Sequence, residues 1–224
     1  MYAKTGFDSV KDFEPVAPLA KAGYVLVANP SLPANNVAEL IALAKAKPGN
    51  LSIASAGNGT LNHLIGEMLQ KATDIQLQHI PYKGAAPANQ DLIGGQVDIF
   101  LAPFGKAYDE LQKQGKVKVL AMLNSERLES VKAYPAISES KSLKNFTFNI
   151  WTGYFVKKDT PEPIVQVIHK TITDALSDPA VRNGLEANSQ LVAKPLSLQA
   201  VDKAYTDGTA QFRAIAKSIN LQPQ

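Results

Sequence analysis

The residues best suited to hold a small ligand lie in one short stretch, residues 52–60, which read Ser-Ile-Ala-Ser-Ala-Gly-Asn-Gly-Thr. Gly57 and Gly59 let the backbone approach a ligand closely, because glycine has no Cβ atom. Thr60 occupies the predicted N-cap of a helix, whose first amides lack intrahelical acceptors and carry the positive end of the helix dipole. This pattern is typical of a carboxylate or phosphate site, although a tight turn with a good cap would use the same residues. The candidate contacts are Ser55, Ala56, Gly57, Asn58, Gly59 and Thr60.

Two further predicted strand ends carry candidate contacts. Pro81-Tyr82-Lys83-Gly84 ends one strand, where Tyr82 could form a wall and Lys83 could either supply charge to an anion or be solvated. Ala102 and Pro103 end the next strand and offer backbone groups and little else. All three strand ends are poor in titratable groups and rich in backbone amides. That profile favours holding a ligand over transforming it, because acid–base catalysis requires a placed side chain with a tuned pKa.

A hydrolase that uses Ser55 is the enzymatic alternative. The segment Ile-Ala-Ser-Ala-Gly matches only part of the Gly-x-Ser-x-Gly pattern, and His63, eight residues further on, would be the partner base. Nucleotide fingerprints are missing, since Asn62 stands where the dinucleotide pattern requires a third glycine and no phosphate-binding Gly-x-x-x-x-Gly-Lys-Ser/Thr segment occurs. His63 could also face the ligand, whereas His79 and His169 are predicted at the surface or the core edge. The three histidines lack metal-ligand spacing, so we predict no cofactor and no metal.

Composition restricts the class of protein. The 224-residue chain has a formal net charge of +3, and its longest basic cluster is Lys157-Lys158, too small for a nucleic-acid-binding face. No apolar run approaches the roughly 18 residues that a membrane-spanning helix needs. The absence of cysteine excludes disulfides and thiol catalysis. Residues 1–8 lack the apolar core of a secretory signal, which indicates either a cytoplasmic protein or a chain that is not the whole gene product.

Strand and helix patterns alternate from residue 24 to residue 123 with short connections. This order predicts an α/β fold in which helices cover both faces of a parallel sheet. Such sheets bind ligands beyond the carboxyl ends of their strands, and the three candidate segments lie at predicted carboxyl ends.

Two β-rich runs, 24–28 and 148–157, bracket the alternating block, as expected for a two-lobed protein with a double hinge. We include Trp151 and Tyr154, from the second run, among the candidate ligand contacts. The predicted boundaries are 29–147 for one lobe, and 1–28 with 148–224 for the other. The latter has too few predicted strands to form a sheet of its own.

Four segments carry a resemblance to a known family. They read VKDFEPVAPLAKAGYVLVANPSLPANNVAELIALAKAKPGNLSIASAGNGT, HIPYKGAAPANQDLIGGQVDIFLAP, GKVKVLAM and WTGYFVKKDTPEPIVQVIHKTITDALSDPAVRNGL. In this order, over nearly the whole chain, they resemble the Bug family, the tricarboxylate-transporter-type extracytoplasmic solute receptors of bacteria. The resemblance implies a periplasmic receptor with a two-lobed fold like the type II periplasmic binding proteins (Venus flytrap). Such a receptor holds a small carboxylate between its lobes for a membrane permease or sensor. The second lobe would grip the carboxylate with Ser55 to Thr60, beside Tyr82-Lys83-Gly84.

The chain departs from the family pattern in two places. Family members usually carry a further segment before Lys-Asp-Phe-Glu-Pro-Val, with a signal peptide and the other half of the ligand pincer, so we expect one complete lobe and an incomplete first lobe. An incomplete lobe exposes apolar surface, which favours self-association. Family sequences also commonly have Asp-Asn where this chain has Ala102-Pro103, which would remove a polar ligand contact. An effector or sensor domain, as in LysR-type regulators, is the other alternative, but the sequence shows no helix-turn-helix with a basic face.

Overall fold

The structure, a computed structural model, describes residues 6–127, 131–187 and 191–218. These residues form two compact units, one within Gly23–Asn149 and the other within 6–22 and 150–218. In chain order the elements are β1 Phe13–Ala28, α1 Val37–Ala46, β2 Ser52–Ser55, α2 Leu61–Thr73, β3 Gln78–Pro81, α3 Ala85–Ile93, β4 Ile99–Pro103, α4 Lys106–Lys113, β5 Lys118–Met122, two 3₁₀ turns at Ile137–Glu139 and Lys141–Leu143, β6 Asn149–Lys157, α5 Glu162–Ser177, α6 Pro179–Glu186, β7 Leu191–Val192 and α7 Leu198–Ser218.

The sheet of the first unit has the strand order β3-β2-β4-β1-β5. Strand β2 runs parallel to β3 and β4, whereas the last part of β1 runs antiparallel to β4 and β5. The predicted α/β class is therefore confirmed, but the prediction of a purely parallel sheet was wrong. The reason is that an alternation of strands and helices indicates the type of each element and not the direction in which a strand crosses the sheet.

Local sequence signals set the helix ends of the first unit. Asn36 is the N-cap of α1, and its side chain accepts a hydrogen bond of 2.9 Å from the Glu39 amide. The Glu39 carboxylate in turn accepts a hydrogen bond of 2.8 Å from the Asn35 amide. The side chains of Asn36 and Glu39 therefore each accept a backbone hydrogen bond at the start of α1. Helix α2 ends at Asp74, which adopts the left-handed conformation with a φ of 52°.

The core of the first unit lies against this sheet. Large, fully buried side chains on its strands include Leu26, Ile99, Phe100, Leu101 and Leu120. Helix α2 contributes Leu64, Ile65 and Leu69 to this core, while Leu61 and Met68 are only partly buried. This packing anchors the start of α2 directly behind the carboxyl end of β2.

The second unit contains the first part of β1, together with β6, β7 and helices α5 to α7. Both β6 and β7 pair with β1, and β7 does so through Ala20 opposite Val192 and Lys21 opposite Leu191. The extension of β1 back to residue 13 was not predicted; this segment contains Pro15, a residue that argues against a central strand. Within the described residues, no helix has the length and apolar character to cross a membrane.

Candidate functional site

The structure brings three of the predicted candidate segments to one edge of the first unit's sheet. Because β2, β3 and β4 run in the same direction, their carboxyl ends meet there, with Ser55 in register opposite Pro81. The chain stays paired beyond the strands, since the Tyr82 amide donates to the Ser55 carbonyl at 2.9 Å and the Gly84 amide donates to the Ala56 carbonyl at 3.1 Å. The segments after β2 and β3 therefore lie side by side.

Asn62 attaches the start of α2 to β4. Its buried side-chain amide donates a hydrogen bond to the carbonyl of Leu101, one residue before Ala102. Asn62 had been considered only as a residue that breaks a nucleotide fingerprint, so its role was missed. No signal in the sequence would have revealed it, because the two partners lie 39 residues apart.

The 55–60 loop has a fixed internal geometry. Gly57 and Gly59 have φ angles of 135° and 72°, conformations that favour glycine. A Cβ atom on Gly57 would lie 3.2 Å from the Tyr82 carbonyl oxygen, so the absence of a side chain also allows the two loops to approach each other. The Ser55 hydroxyl lies 3.2 Å from both the carbonyl oxygen and the amide nitrogen of Gly57.

Thr60 is the N-cap residue of α2, as predicted, but its hydroxyl does not cap the helix. The hydroxyl instead donates to the Gly57 carbonyl at 2.6 Å and closes the loop on itself. The first hydrogen bond of the helix runs from the Leu64 amide to the Thr60 carbonyl at 3.0 Å. The amides of residues 61–63 precede that bond and receive no acceptor from the Thr60 side chain, which leaves the positive end of the helix dipole at the loop.

Two stacked imidazoles lie beneath this loop. The rings of His63 and His79 are nearly parallel, with an interplanar angle of 4° and centroids 4.0 Å apart. His63 Nδ1 accepts a hydrogen bond of 3.2 Å from the Gly59 amide, and His79 Nε2 lies 2.7 Å from the Ser55 hydroxyl oxygen. His63 Nε2 faces the Glu67 carboxylate at 3.6 Å.

Burial and electrostatics set the protonation of this group. Burial and, to a smaller extent, the neighbouring His63 lower the pKa of His79 from its ordinary 6.5 to about 4, although Glu67 opposes the change. The adjacent His63 ring, whose Nε2 faces the carboxylate, holds the pKa of Glu67 below its ordinary value. His79 is therefore a neutral imidazole and Glu67 a carboxylate at neutral pH.

The predicted pair of Ser55 with His63 is not formed, because the histidine that contacts the Ser55 hydroxyl is His79. Ser55 is also fully buried, and its hydroxyl is held by Gly57 and His79. A buried hydroxyl in this position has no access to a substrate carbonyl, so the hydrolase alternative lacks an exposed nucleophile. His79 had been predicted at the surface or core edge; it is half-buried, but its contact with the loop was missed.

The segments at the carboxyl ends of β3 and β4 contribute an aromatic side chain, a charged side chain and backbone groups. Tyr82 is partly exposed, and its hydroxyl donates to Asp91 at 2.7 Å. Burial and the Asp91 carboxylate raise the pKa of Tyr82 to about 12, so the phenol stays protonated. The Lys83 side chain is exposed, and Gly84 has a φ of 121° with open space where a Cβ would be. Ala102 is buried in the core, whereas Pro103 is exposed.

Trp151 and Tyr154, the remaining two candidates, belong to the second unit and lie on β6. Trp151 packs against Phe155, with ring centroids 5.9 Å apart, and meets the edge of Tyr205 at 6.4 Å. The Tyr154 side chain is about half exposed. Their role as ligand contacts stays a prediction. In the described part of the chain, no cluster of three or more acidic, histidine or cysteine residues is placed to hold a metal ion.

The fold is that of solved periplasmic binding proteins. A structure of the periplasmic binding protein BugD superposes with a TM-score of 0.89 at 29% identity, over all of this chain and 75% of that one. An R. palustris protein solved with adipate superposes with a TM-score of 0.91 at 25% identity, over all of this chain and 74% of that one.

The sequence pattern of the family described as "Tripartite tricarboxylate transporter family receptor" matches residues 1–221. The chain belongs to this family of receptors, which confirms the resemblance drawn from its motifs. A curated relative is the UPF0065 protein of the tcbD-tcbE intergenic region of Pseudomonas sp. (strain P51), 32% identical over 193 residues. That match covers 86% of this chain but only 56% of the relative, so the chain spans about half of the relative's length.

Proposed function

We propose that this protein is a solute-binding receptor that holds a small carboxylate at the 55–60 loop of its first unit. The observation that carries the proposal is the start of α2, where the amides of residues 61–63 have no side-chain cap and the Thr60 hydroxyl is turned away from them. A carboxylate is the natural acceptor for such amides, because the helix dipole favours negative charge there. The solved structure of an R. palustris protein with adipate supports a dicarboxylate as the ligand.

The segments that adjoin the 55–60 loop would complete the binding site without supplying an exposed nucleophile. Tyr82 supplies a protonated phenol and an aromatic wall, and Lys83 supplies an exposed positive charge beside the loop. The only nucleophilic side chain of the loop's strand end, Ser55, is buried. We therefore propose binding and not catalysis.

The membership of the family supports delivery of the ligand to a membrane permease or sensor of a tripartite tricarboxylate transport system. The solved BugD structure is that of a periplasmic binding protein, and we propose the periplasm as the compartment of this protein.

A panel of mono-, di- and tricarboxylic acids and aromatic acids, including adipate, tests the proposal by thermal unfolding. A ligand at 100 times its Kd stabilises by about 2.7 kcal/mol, which for a chain of this size raises Tm by roughly 5–10 °C. Gly59→Val should abolish the shift, because a branched side chain at the loop blocks the approach of the acid. Gly115→Val is the matched control, since Gly115 has a similar φ of 69° against 72° at Gly59 but lies at the end of α4. If no acid of the panel shifts the Tm of the wild type, the receptor function is refuted.

We also propose that the chain self-associates through its second unit. Phe155, Ile164 and Val167 expose 41%, 50% and 65% of their surface there, and exposed apolar side chains on one unit favour association. Size-exclusion chromatography with light scattering over a hundredfold range of concentration tests this. A monomer at every concentration contradicts it.

A further inference from the structure

The 55–60 loop is held at both of its ends by one pair of side chains. His79 contacts the Ser55 hydroxyl at the start of the loop, and His63 accepts the hydrogen bond of the Gly59 amide near its end. The two imidazoles stack with their centroids 4.0 Å apart, so that each ring packs against the other. His63 is almost fully buried, which leaves its ring few alternative positions.

The hydrogen bond from Gly59 determines the tautomer of His63. An amide N–H can only donate, so Nδ1 of His63 must be an unprotonated acceptor. The ring proton of a neutral His63 then lies on Nε2, which faces the Glu67 carboxylate at 3.6 Å. Glu67 stabilises this tautomer electrostatically, as a carboxylate behind a metal-ligating histidine does.

His79 completes the arrangement from β3. Its Nε2 is 2.7 Å from the Ser55 hydroxyl, and the same hydroxyl is bonded to Gly57 within the loop. Because burial keeps His79 neutral at neutral pH, the stack contains no repulsion between two imidazolium rings.

We propose that His63 and His79, with Glu67 behind them, are positioning residues that hold the 55–60 loop in the shape that binds a carboxylate. Neither histidine needs to touch the acid. They act through the Gly59 amide and the Ser55 hydroxyl, and they reduce the ordering that the glycine-rich loop would otherwise undergo on binding. This inference rests on the proposed receptor function for its effect on affinity, but its effect on the loop can be measured without any ligand.

The first measurement is made on the unliganded wild type at neutral pH. Two-dimensional ¹H–¹⁵N NMR of the histidine rings should show His63 as the neutral Nε2–H tautomer, with Nδ1 in the shift range of a hydrogen-bond acceptor. A His63 that is charged, or protonated at Nδ1, overturns the proposal, because neither form can accept the Gly59 hydrogen bond.

The second measurement compares two substitutions of the same residue. His63→Leu removes the acceptor, and His63→Asn places an amide oxygen near the position of Nδ1. We expect hydrogen exchange of the Gly59 amide to be at least tenfold faster in His63→Leu. We expect adipate affinity to fall about tenfold, the lower end of the range found when the outer partner of a metal-ligating residue is removed. His63→Asn should restore most of both. His169→Leu, in the second unit, is the control and should change neither.

The outcomes separate the two proposals. If the wild type binds no acid while the Gly59 exchange behaves as expected, the receptor function fails and the positioning of the loop stands. If the wild type binds adipate, and His63→Leu folds with unchanged affinity or unchanged Gly59 exchange, the positioning role is refuted. If His63→Leu fails to fold, the tautomer of wild-type His63 and the adipate affinity of His63→Asn test the positioning role instead. An adipate affinity of His63→Asn that falls to the detection limit also refutes the positioning role.

Discussion

Acidification should destabilise the first unit through His79, and the structure gives the sign of this effect. The folded state lowers the pKa of His79 from 6.5 to about 4, chiefly by burial. Between these two pH values the unfolded chain binds a proton at His79 that the folded chain does not. The free energy of unfolding therefore stays unaffected by His79 above about pH 6.5, and falls as the pH is lowered from 6.5 towards 4.

The size of the effect follows from the two pKa values. A fall in pKa from 6.5 to about 4 corresponds to at most about 3.4 kcal/mol of stability. His79 is only half-buried, and solvent screens its interactions, so we expect about 1–2 kcal/mol. Glu67 also loses stabilising interactions in acid, but its pKa lies below 4.5, so its contribution is lost at lower pH. The range from pH 6.5 to pH 5 therefore reports mainly on His79.

Two measurements test this reasoning. NMR titration of the histidine resonances gives the folded-state pKa of His79 directly, and hydrogen exchange of the slowest β4 amides gives the stability of the first unit at each pH. In His79→Gln, the loss of stability between pH 7.5 and pH 5 should be smaller than in the wild type by about 1 kcal/mol. His169→Gln is the matched control from the second unit and should leave the loss unchanged. A folded-state pKa of His79 at or above 6.5 would refute the argument.

Two further substitutions test the framework that supports the loop. Asn62→Ala should lower the free energy of unfolding by about 1–3 kcal/mol, because it leaves the Leu101 carbonyl without its donor. Urea denaturation measures this change. Asn58→Ala is the control, and we expect it to change the free energy of unfolding little. Gly57→Ala should cost about 1–3 kcal/mol in the same assay, because φ is 135° and the new Cβ would lie 3.2 Å from the Tyr82 carbonyl. Gly208→Ala, in α7 with open space around it, should be neutral or stabilising, and an equal loss in both glycine variants would contradict the role of the φ angle.

Much of the local structure was predictable because its causes lie within a few residues. Asn36 caps α1 through Glu39, three residues away, and Asp178 caps α6 through the Ala180 amide, two residues away. The position of Thr60 at the N-cap of α2 followed from the same kind of signal. The use of its hydroxyl did not, because a threonine in this position can either accept from the helix or donate to the preceding turn, and the backbone angles of the loop decide between them.

The candidate site was predictable in its parts but not in its assembly. The glycines and small residues of the 55–60 loop indicate an exposed backbone at a helix start, whatever the rest of the fold does. The same sequence suggested His63 as the partner of Ser55, because His63 is near in the chain. The structure selects His79 instead, which lies 24 residues away and reaches Ser55 across the β2–β3 pair.

The sequence by itself determined the order and ends of the helices, the apolar faces that they bury and the glycine-rich loop at the start of α2. The tertiary structure alone decided the direction of β1, the attachment of Asn62 to Leu101 and the stacking of His63 on His79. The physical reason is the range of the interactions. Caps and helical periodicity act between residues that are neighbours in the chain, whereas strand direction and register bring together residues that are far apart, and only the packed sheet sets which of them meet.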